Sequence, residues 1–438
     1  MQLRCITPTG EKKLQIRMED LAEQIDDTRI NVSKVLNELK DGGVIRLSRR
    51  IIDIPDMETL SNYKENKKTL FMENPFLQPY TTPHGTVPFD KIELVHYEPA
   101  IREGISQEDK EINDIISNPE KPTFKNTILA LEQSGKLLDQ VTTVMFNLMS
   151  AETCNELDEI AEKMMPLLSE HSNNISLNEK LFERVKQVYE ERKNLKLTPE
   201  ELRLLEKTYD GFVRNGANLS EEDKVTFRKI STELSSLTLR FSQNHLKETN
   251  SYELLLDSEE QLKGLPESII EAAAHTAKEK GKNGRIITLQ APSYVPFMKY
   301  SENRELRRKL YMAYNTQCIH DNEQNNEDVV KQLVNLRMQL AQLLGFKNYA
   351  DYALRKRMAE NSERVYQLLD QLLEAYTPTA REEVKEIEAL AQRTEGKDFQ
   401  LMPWDFSYYA EKLKNEKFNL DEEALRPYFE LSRVKEGV

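Results

Sequence analysis

Two rhythms of apolar and polar positions divide the chain near residue 70. Ahead of that point, strand-like and helix-like stretches alternate quickly. In LQIRM (Leu14–Met18) apolar and polar side chains alternate, the period of a half-buried strand. MEDLAEQI follows as a short helix and is interrupted by Asp26, Asp27 and Thr28. Thr28 can cap a second helix, RINVSKVLNELKDGG, in which Val32, Val35, Leu36 and Leu39 share one face. Gly42 and Gly43 end that helix, and VIRLSRRIIDI then holds two β-rich runs around Ser48, Arg49 and Arg50, a hairpin. SNYKENKKTLF (Ser61–Phe71) keeps neither period and reads as a linker.

From Met72 the rhythm becomes helical. Met72–Ala100 is proline-punctuated and aromatic, a stretch expected to wrap over a helical body and pin itself with Phe76, Phe89 and Tyr97. Ser106 is placed to cap SQEDKEINDII, and Pro122 and Thr123 precede one long apolar-periodic run, NTILALEQSGKLLDQVTTVMFNLMSA. Thr198, Pro199 and Glu201 form a capping box with the favoured proline. Ser220 with Asp223 opens a helix whose Phe227, Ile230, Leu234, Leu237 and Phe241 make a packing seam. SYELLLD (Ser251–Asp257) and RIITLQAPSY (Arg285–Tyr294) read as two short strands around the helix PESIIEAAAHTAKEK. Helices resume through RELRRKLYMAYN, EDVVKQLVNLRMQLAQLLGF, SERVYQLLDQLLEAYTPTAREEVKEIEALAQ and DFSYYAEKLKNE. PYFELSRVKEGV, with no later helix to dock against, is expected to fray. The predicted fold is mainly α. A small α+β segment comes first, and a long multi-helix lobe with one short hairpin-like pair of strands follows.

Composition agrees. Only 14 glycines occur in 438 residues, as long helices require. No stretch reaches the roughly 18 consecutive apolar residues of a membrane span, and mean hydropathy is -0.66. The three cysteines, Cys5, Cys154 and Cys318, form no disulfide framework, which points to a reducing, cytoplasmic home. The net charge of -14 argues against the whole chain coating nucleic acid. It is uneven: residues 1–50 hold ten Lys/Arg and eight Asp/Glu, a net of +2 that leaves -16 for the rest.

Helix, tight turn, helix, hairpin is the order of a winged helix-turn-helix. LAEQIDDTRINVSKVLNEL followed by GGVIRLSRRIIDI resembles the DNA-binding domain of the cyclic-AMP receptor/fumarate-nitrate regulator family. By that likeness Thr28, Arg29, Asn31 and Lys34 face the major groove or its phosphates, and DNA is an implied partner. Arg can read guanine and Asn adenine. The alternative is a solvated polar helix face. The family's effector barrel and dimerisation helix do not precede this segment, so a single half-site is implied.

ENPFL, TPHGTVPFDKI, HYEPAI, PTFKNTILALEQSG and FNLMSAET resemble the front of the thimet oligopeptidase family of zinc metallopeptidases. So do LQAPSYVPFMKYSENRELRRKLYMAYNT, LVNLRMQLAQLLGFKNYADYAL and PWDFSYYAEKLK. The likeness runs from Met72 to Val438, with peptidyl-dipeptidases nearest and oligopeptidase A next. It implies an almost wholly helical two-lobed fold around a channel, short peptides as substrates, and zinc on an HExxH helix in the far lobe. The expected organisation is a winged helix at 1–60, a linker at 61–71, and the N-terminal helical part of an oligopeptidase at 72–438.

A zinc peptidase needs two His one helical turn apart and a Glu between them. The six histidines are His84, His96, His171, His245, His275 and His320; none lies four residues from another and none precedes Glu. No catalytic residue and no metal ligand is therefore assigned. Zinc is implied by the family, with its ligands absent from this chain. The chain is expected to stop short of the family's zinc motif and to be inactive alone. GxSxG, Walker A and GxGxxG patterns are also absent. Tyr294, Tyr300, Tyr311 and Tyr314 either line the substrate channel or pack under the strand pair. Asn303, Arg304, Arg307 and Arg308 either attract a substrate carboxylate or form a solvated helix face, and the solvated face is the expectation. The competing functional reading is a DNA-binding regulator with an acidic passenger.

Overall fold

A computed structural model describes residues 12–15, 36, 39–40, 45–48, 51–55, 74–419 and 423–437. The chain divides into two compact units, one of Met1–Met164 with Asn178–Tyr209 and one of Met165–Leu177 with Asp210–Val438.

The first unit opens with an antiparallel sheet of β1 (Lys12–Gln15), β2 (Arg46–Ser48) and β3 (Ile51–Ile54) in the order β1-β3-β2. β2 and β3 pair antiparallel, Ser48 opposite Ile51, as the expected hairpin requires; Arg49 and Arg50 lie outside the described residues. Leu36, Ile45 and Ile52 are buried. Within the LQIRM reading, β1 reaches Gln15; Ile16, Arg17 and Met18 lie outside the described residues.

Helices α1 (Tyr97–Ser117), α2 (Lys136–Ala151), α3 (Asn155–Ser176), α4 (Glu179–Glu190) and α5 (Pro199–Arg214) follow. α1 starts well before Ser106, which lies inside it. Its entry is a single turn, Leu94–His96, closed by the Glu93 N–H donating to His96 Nδ1 at 2.9 Å. Burial of Tyr97, Ala100, Ile101 and Gly104 draws the helix this far upstream. Gly104 is required there: a Cβ would stand 2.9 Å from Leu138 Cα on α2. The aromatic wrap is held by wholly buried Asn74, whose Nδ2 donates to the His96 carbonyl at 2.8 Å, and by Phe76 against Tyr97 at 5.2 Å between centroids. Phe89 is not a pin; it is 57% exposed, and its neighbour Pro88 takes the buried position. The run after Thr123 is not one helix. It begins as a π-turn, Phe124–Leu129, and breaks where Gly135 takes φ +71°. The capping box before α5 forms as expected: Thr198 N–H donates to Glu201 Oε2 at 2.8 Å, and Glu201 N–H to Thr198 Oγ1 at 3.2 Å.

In the second unit α6 (Glu221–Ser251) starts on the Ser220 cap and packs along α10 (Glu327–Leu343). Phe227, Ile230 and Leu340 form one cluster of that seam, and Leu237, Val329 and Leu333 another. Phe241 departs from the predicted seam and is 38% exposed. At that level the buried amides of Asn244 and Asn326 join at 2.9 Å instead. β4 (Leu254–Leu256) and β5 (Arg285–Ile287) pair antiparallel around α7 (Glu267–Glu279). The second predicted strand is shorter than expected. After Gln290 the chain enters α8 (Ala291–Tyr300), with Pro292 in the first turn, where a missing N–H costs nothing. Then come α9 (Arg304–Asn315), α11 (Tyr349–Leu354), α12 (Ser362–Glu395), α13 (Phe406–Phe418) and α14 (Leu431–Gly437). The architecture is mainly helical with two small sheets, as predicted.

Candidate functional site

The core under the strand pair is built from Leu254, Leu256, Ile287, Phe297, Met298 and Leu310, and it seats an aromatic corner. Tyr294, Tyr300 and Tyr311 are half-buried against this core. Tyr294 on α8 and Tyr314 on α9 stack at 4.2 Å between centroids, and Tyr314 keeps an exposed face. Tyr311 meets Trp404 edge-on at 6.3 Å. Burial, with the nearby Tyr311 and Tyr314 phenols, pushes the Tyr294 phenol up to about 12, so it stays protonated at neutral pH. All four tyrosines singled out in the sequence thus meet the same core, three packed on it and Tyr314 stacked over Tyr294. Trp404 joins them from 90 residues further on, and its only signal in the sequence was its place in the PWD segment.

Of the arginines beside this corner, Arg307 leaves the expected solvated face. Arg307 is 1% exposed and Asp405 is wholly buried. Arg307 donates to Asp405 Oδ1 at 2.8 Å, to the Ser301 carbonyl at 2.7 Å and to the Trp404 carbonyl at 3.3 Å. Arg304 donates from Nε to both carboxylate oxygens at 3.1 Å and from its terminal nitrogen to Oδ2 at 2.7 Å. The Met402 N–H adds a fourth donor at 3.1 Å. Burial pushes the Asp405 carboxyl up, but the bonds from Arg304, Arg307 and Met402 outweigh it and hold it below its ordinary value. Each guanidinium also covers a ring, Arg304 over Phe399 at 4.4 Å and Arg307 over Tyr408 at 4.2 Å. Asn303 caps α9, and Arg308 pairs with Glu305 at the surface. The expectation of a solvated face holds for Arg308 and fails for Arg307, because its partner lies 98 residues away in the sequence.

All six histidines are among the described residues. His171 is buried. His96 accepts from the Glu93 N–H, and His84 sits in a turn at φ +60°. His275 is 3.4 Å from Glu279, and His320 is 3.6 Å from Glu248. Among the described residues no three His, Cys, Asp or Glu side chains converge to hold a metal. This donor set does not fit the zinc that the resemblance implies. Thr28, Arg29, Asn31 and Lys34 lie outside the described residues.

Two family models match separate parts of the chain. Residues 297–438 match Peptidase family M3, and residues 3–63 match the Crp-like helix-turn-helix domain. The chain is 38% identical to a dipeptidyl carboxypeptidase of Escherichia coli over 83% of its own length and 54% of the relative's. It is 33% identical to an oligopeptidase A of Haemophilus influenzae, over 84% and 54% respectively. An organellar oligopeptidase A of Arabidopsis thaliana is 31% identical over 83% of this chain and 46% of the relative. The chain spans about half the length of these curated relatives.

Proposed function

We propose, from the premise that this chain is Peptidase family M3 sequence carried behind a Crp-like helix-turn-helix domain, that residues 72–438 are the substrate-side part of a cytoplasmic zinc metallopeptidase acting on short peptides. Residues 1–60 are its winged helix and 61–71 its linker. These 438 residues hold peptide without cutting it. The observation that carries this reading is the scatter of the six histidines, none within a helical turn of another.

Tyr294, Tyr300, Tyr311 and Tyr314 form a wall of the peptide path. The Tyr314 ring is available at the surface, and the protonated Tyr294 phenol can donate to a peptide carbonyl. Arg304 and Arg307 do not anchor a substrate carboxylate, because Asp405 already occupies their donors. The test is to incubate the chain with zinc and a blocked tetrapeptide. No hydrolysis is expected, while peptide binding read from tryptophan fluorescence weakens several-fold in Tyr314→Ala. Zinc-dependent cleavage abolished by a chelator overturns the reading.

A second reading is favoured by the β1-β3-β2 sheet and the match over residues 3–63. The winged helix binds duplex DNA weakly, through Thr28, Arg29, Asn31 and Lys34, and loses it steeply with salt. In a gel shift at low salt, Arg29→Ala is expected to reduce retardation. Retardation unchanged by the substitution, or absent from the start, removes this reading.

A further inference from the structure

We infer that a basic island at the turn from α10 to α11 binds short acidic peptides through guanidinium groups laid on a cluster of three rings. The turn is locally specified. Gly345 takes φ +81°, and the Gly345 and Phe346 N–H groups donate back to the Gln342 and Ala341 carbonyls at 3.0 and 2.8 Å, which ends α10. Three residues on, the Asp351 N–H donates to Asn348 Oδ1 at 2.9 Å and α11 starts on that cap. The rings of Phe346, Tyr349 and Tyr352 are thereby gathered, Phe346 against Tyr352 at 5.4 Å and Tyr349 against Tyr352 at 5.6 Å between centroids. Each ring carries a guanidinium. Arg214 lies 4.1 Å over Tyr352, Arg337 5.4 Å over Tyr349 and Arg355 5.9 Å over Phe346. A guanidinium laid on a ring keeps its in-plane N–H donors for a second partner.

The island's charge is not neutralised from within. Residues 337–358 hold five Lys/Arg and one Asp, a net of +4 in a chain of net -14, which leaves -18 for the rest. The one Asp is already occupied: Asp351 accepts from Asn348 Nδ2 at 3.0 Å and from Ser362 Oγ at 3.1 Å. Lys356 lies 3.5 Å from Asp210, and Arg214 donates to the Tyr352 carbonyl at 3.0 Å. Arg337, Lys347, Arg355 and Arg357 have no carboxylate partner among the described residues. Elsewhere exposed arginines do find one: Arg308 takes Glu305, Arg364 takes Glu360 and Arg393 takes Glu416. A guanidinium fork holds a carboxylate by two parallel bonds. A long polyanion such as nucleic acid would run from the island onto an acidic remainder and be repelled there. The ring faces that would stack its bases already hold guanidinium groups. A short peptide rich in Asp or Glu confines its charge to the island.

The inference goes beyond the peptidase reading, because binding is read without cleavage. The test titrates the 438-residue chain into fluorescein-labelled hexaglutamate at low ionic strength and follows anisotropy. Saturable binding is expected, falling as salt is raised. Arg337→Gln combined with Arg355→Gln is expected to weaken it at least about fivefold, as loss of two exposed ion pairs does, with helix content by circular dichroism unchanged. If that pair loses helix content, Lys347→Gln with Arg357→Gln, both exposed and outside the ring cluster, reads the same loss. Arg308→Gln with Arg433→Gln removes equal charge at arginines already paired and is expected to leave binding unchanged, as is Tyr314→Ala. No saturable binding, an equal loss in the paired-arginine control, or a loss in Tyr314→Ala as large as in the island variants each overturns the inference. So does an oligothymidylate that binds more tightly than hexaglutamate and loses its affinity in the same variants, since the island's partner is then nucleic acid.

Discussion

Asp405 shows at the scale of one residue how a carboxylate can sit fully out of water. Four donor nitrogens surround it, three of them from two guanidinium groups, and each guanidinium is itself covered by an aromatic ring. The gain over an apolar core is small, but removing one partner is costly, because the remaining charge is stranded. Asp405→Asn leaves the wholly buried Arg307 without its anion. The expected loss is about 3 kcal/mol, the lower end of the range for broken buried pairs, because Arg304 is partly exposed and relaxes into water. Urea unfolding followed by helix content measures it; an unchanged midpoint contradicts the latch. The pH dependence has a definite sign. The folded carboxyl lies below its ordinary 3.8. Its stabilisation is therefore complete above about pH 4, and it drains away as pH falls through the folded value. The wild-type chain should lose stability on acidification through that window more steeply than Asp405→Asn does.

Elements in this chain depend on single backbone positions as much as on apolar periodicity. Gly264 is one such position. It takes φ +82°, and a Cβ there would lie 2.3 Å from the Tyr300 carbonyl oxygen. The turn before α7 is thereby pressed against the end of α8, the helix that carries Tyr294. Gly264→Ala should cost more than about 1 kcal/mol, since it meets both an unfavourable φ and a backbone clash. It should also weaken the near-ultraviolet circular dichroism of the Tyr294–Tyr314 stack. A variant as stable as wild type, with that signal intact, sinks the argument. The elements most legible in the sequence were those written locally. The Thr198 box, the Ser220 cap and the β2–β3 hairpin each depend on neighbours a few residues apart. What could not be read depended on distant partners. The early start of α1 follows from burial against α2. The burial of Arg307 follows from Asp405, and the corner's closure from Trp404. Tyr294, Tyr300, Tyr311 and Tyr314 were legible as a cluster because α8 and α9 are consecutive. Thr28, Arg29, Asn31 and Lys34, proposed from the resemblance to contact DNA, lie outside the described residues.

At the scale of the whole molecule, helical content and stability do not run together. α6 and α10 bury a continuous seam, whereas α12 keeps 34 residues helical with buried contacts only near its C-terminal end. In proteins most helical stability comes from packing of an apolar face, and the N-terminal half of α12 has little of it. Pro378 weakens it further by removing one internal hydrogen bond. The segment from Glu423 to Gly437 stands in a similar position, with Tyr428 80%, Phe429 71% and Leu431 67% exposed. Local opening free energies range from near zero for such regions to the full unfolding free energy for core helices. Hydrogen exchange should therefore rank the molecule rather than treat it as one body. Amides of residues 366–384 and 423–437 are expected to exchange at least about a hundredfold faster than those of residues 227–237 on α6, a gap of at least about 2.7 kcal/mol in opening free energy. Equal protection of α12 and α6 in the isolated chain would mean that the apolar stripe of α12 is already covered. A hierarchy in which α12 opens before α6 is the outcome that its exposed N-terminal stripe predicts.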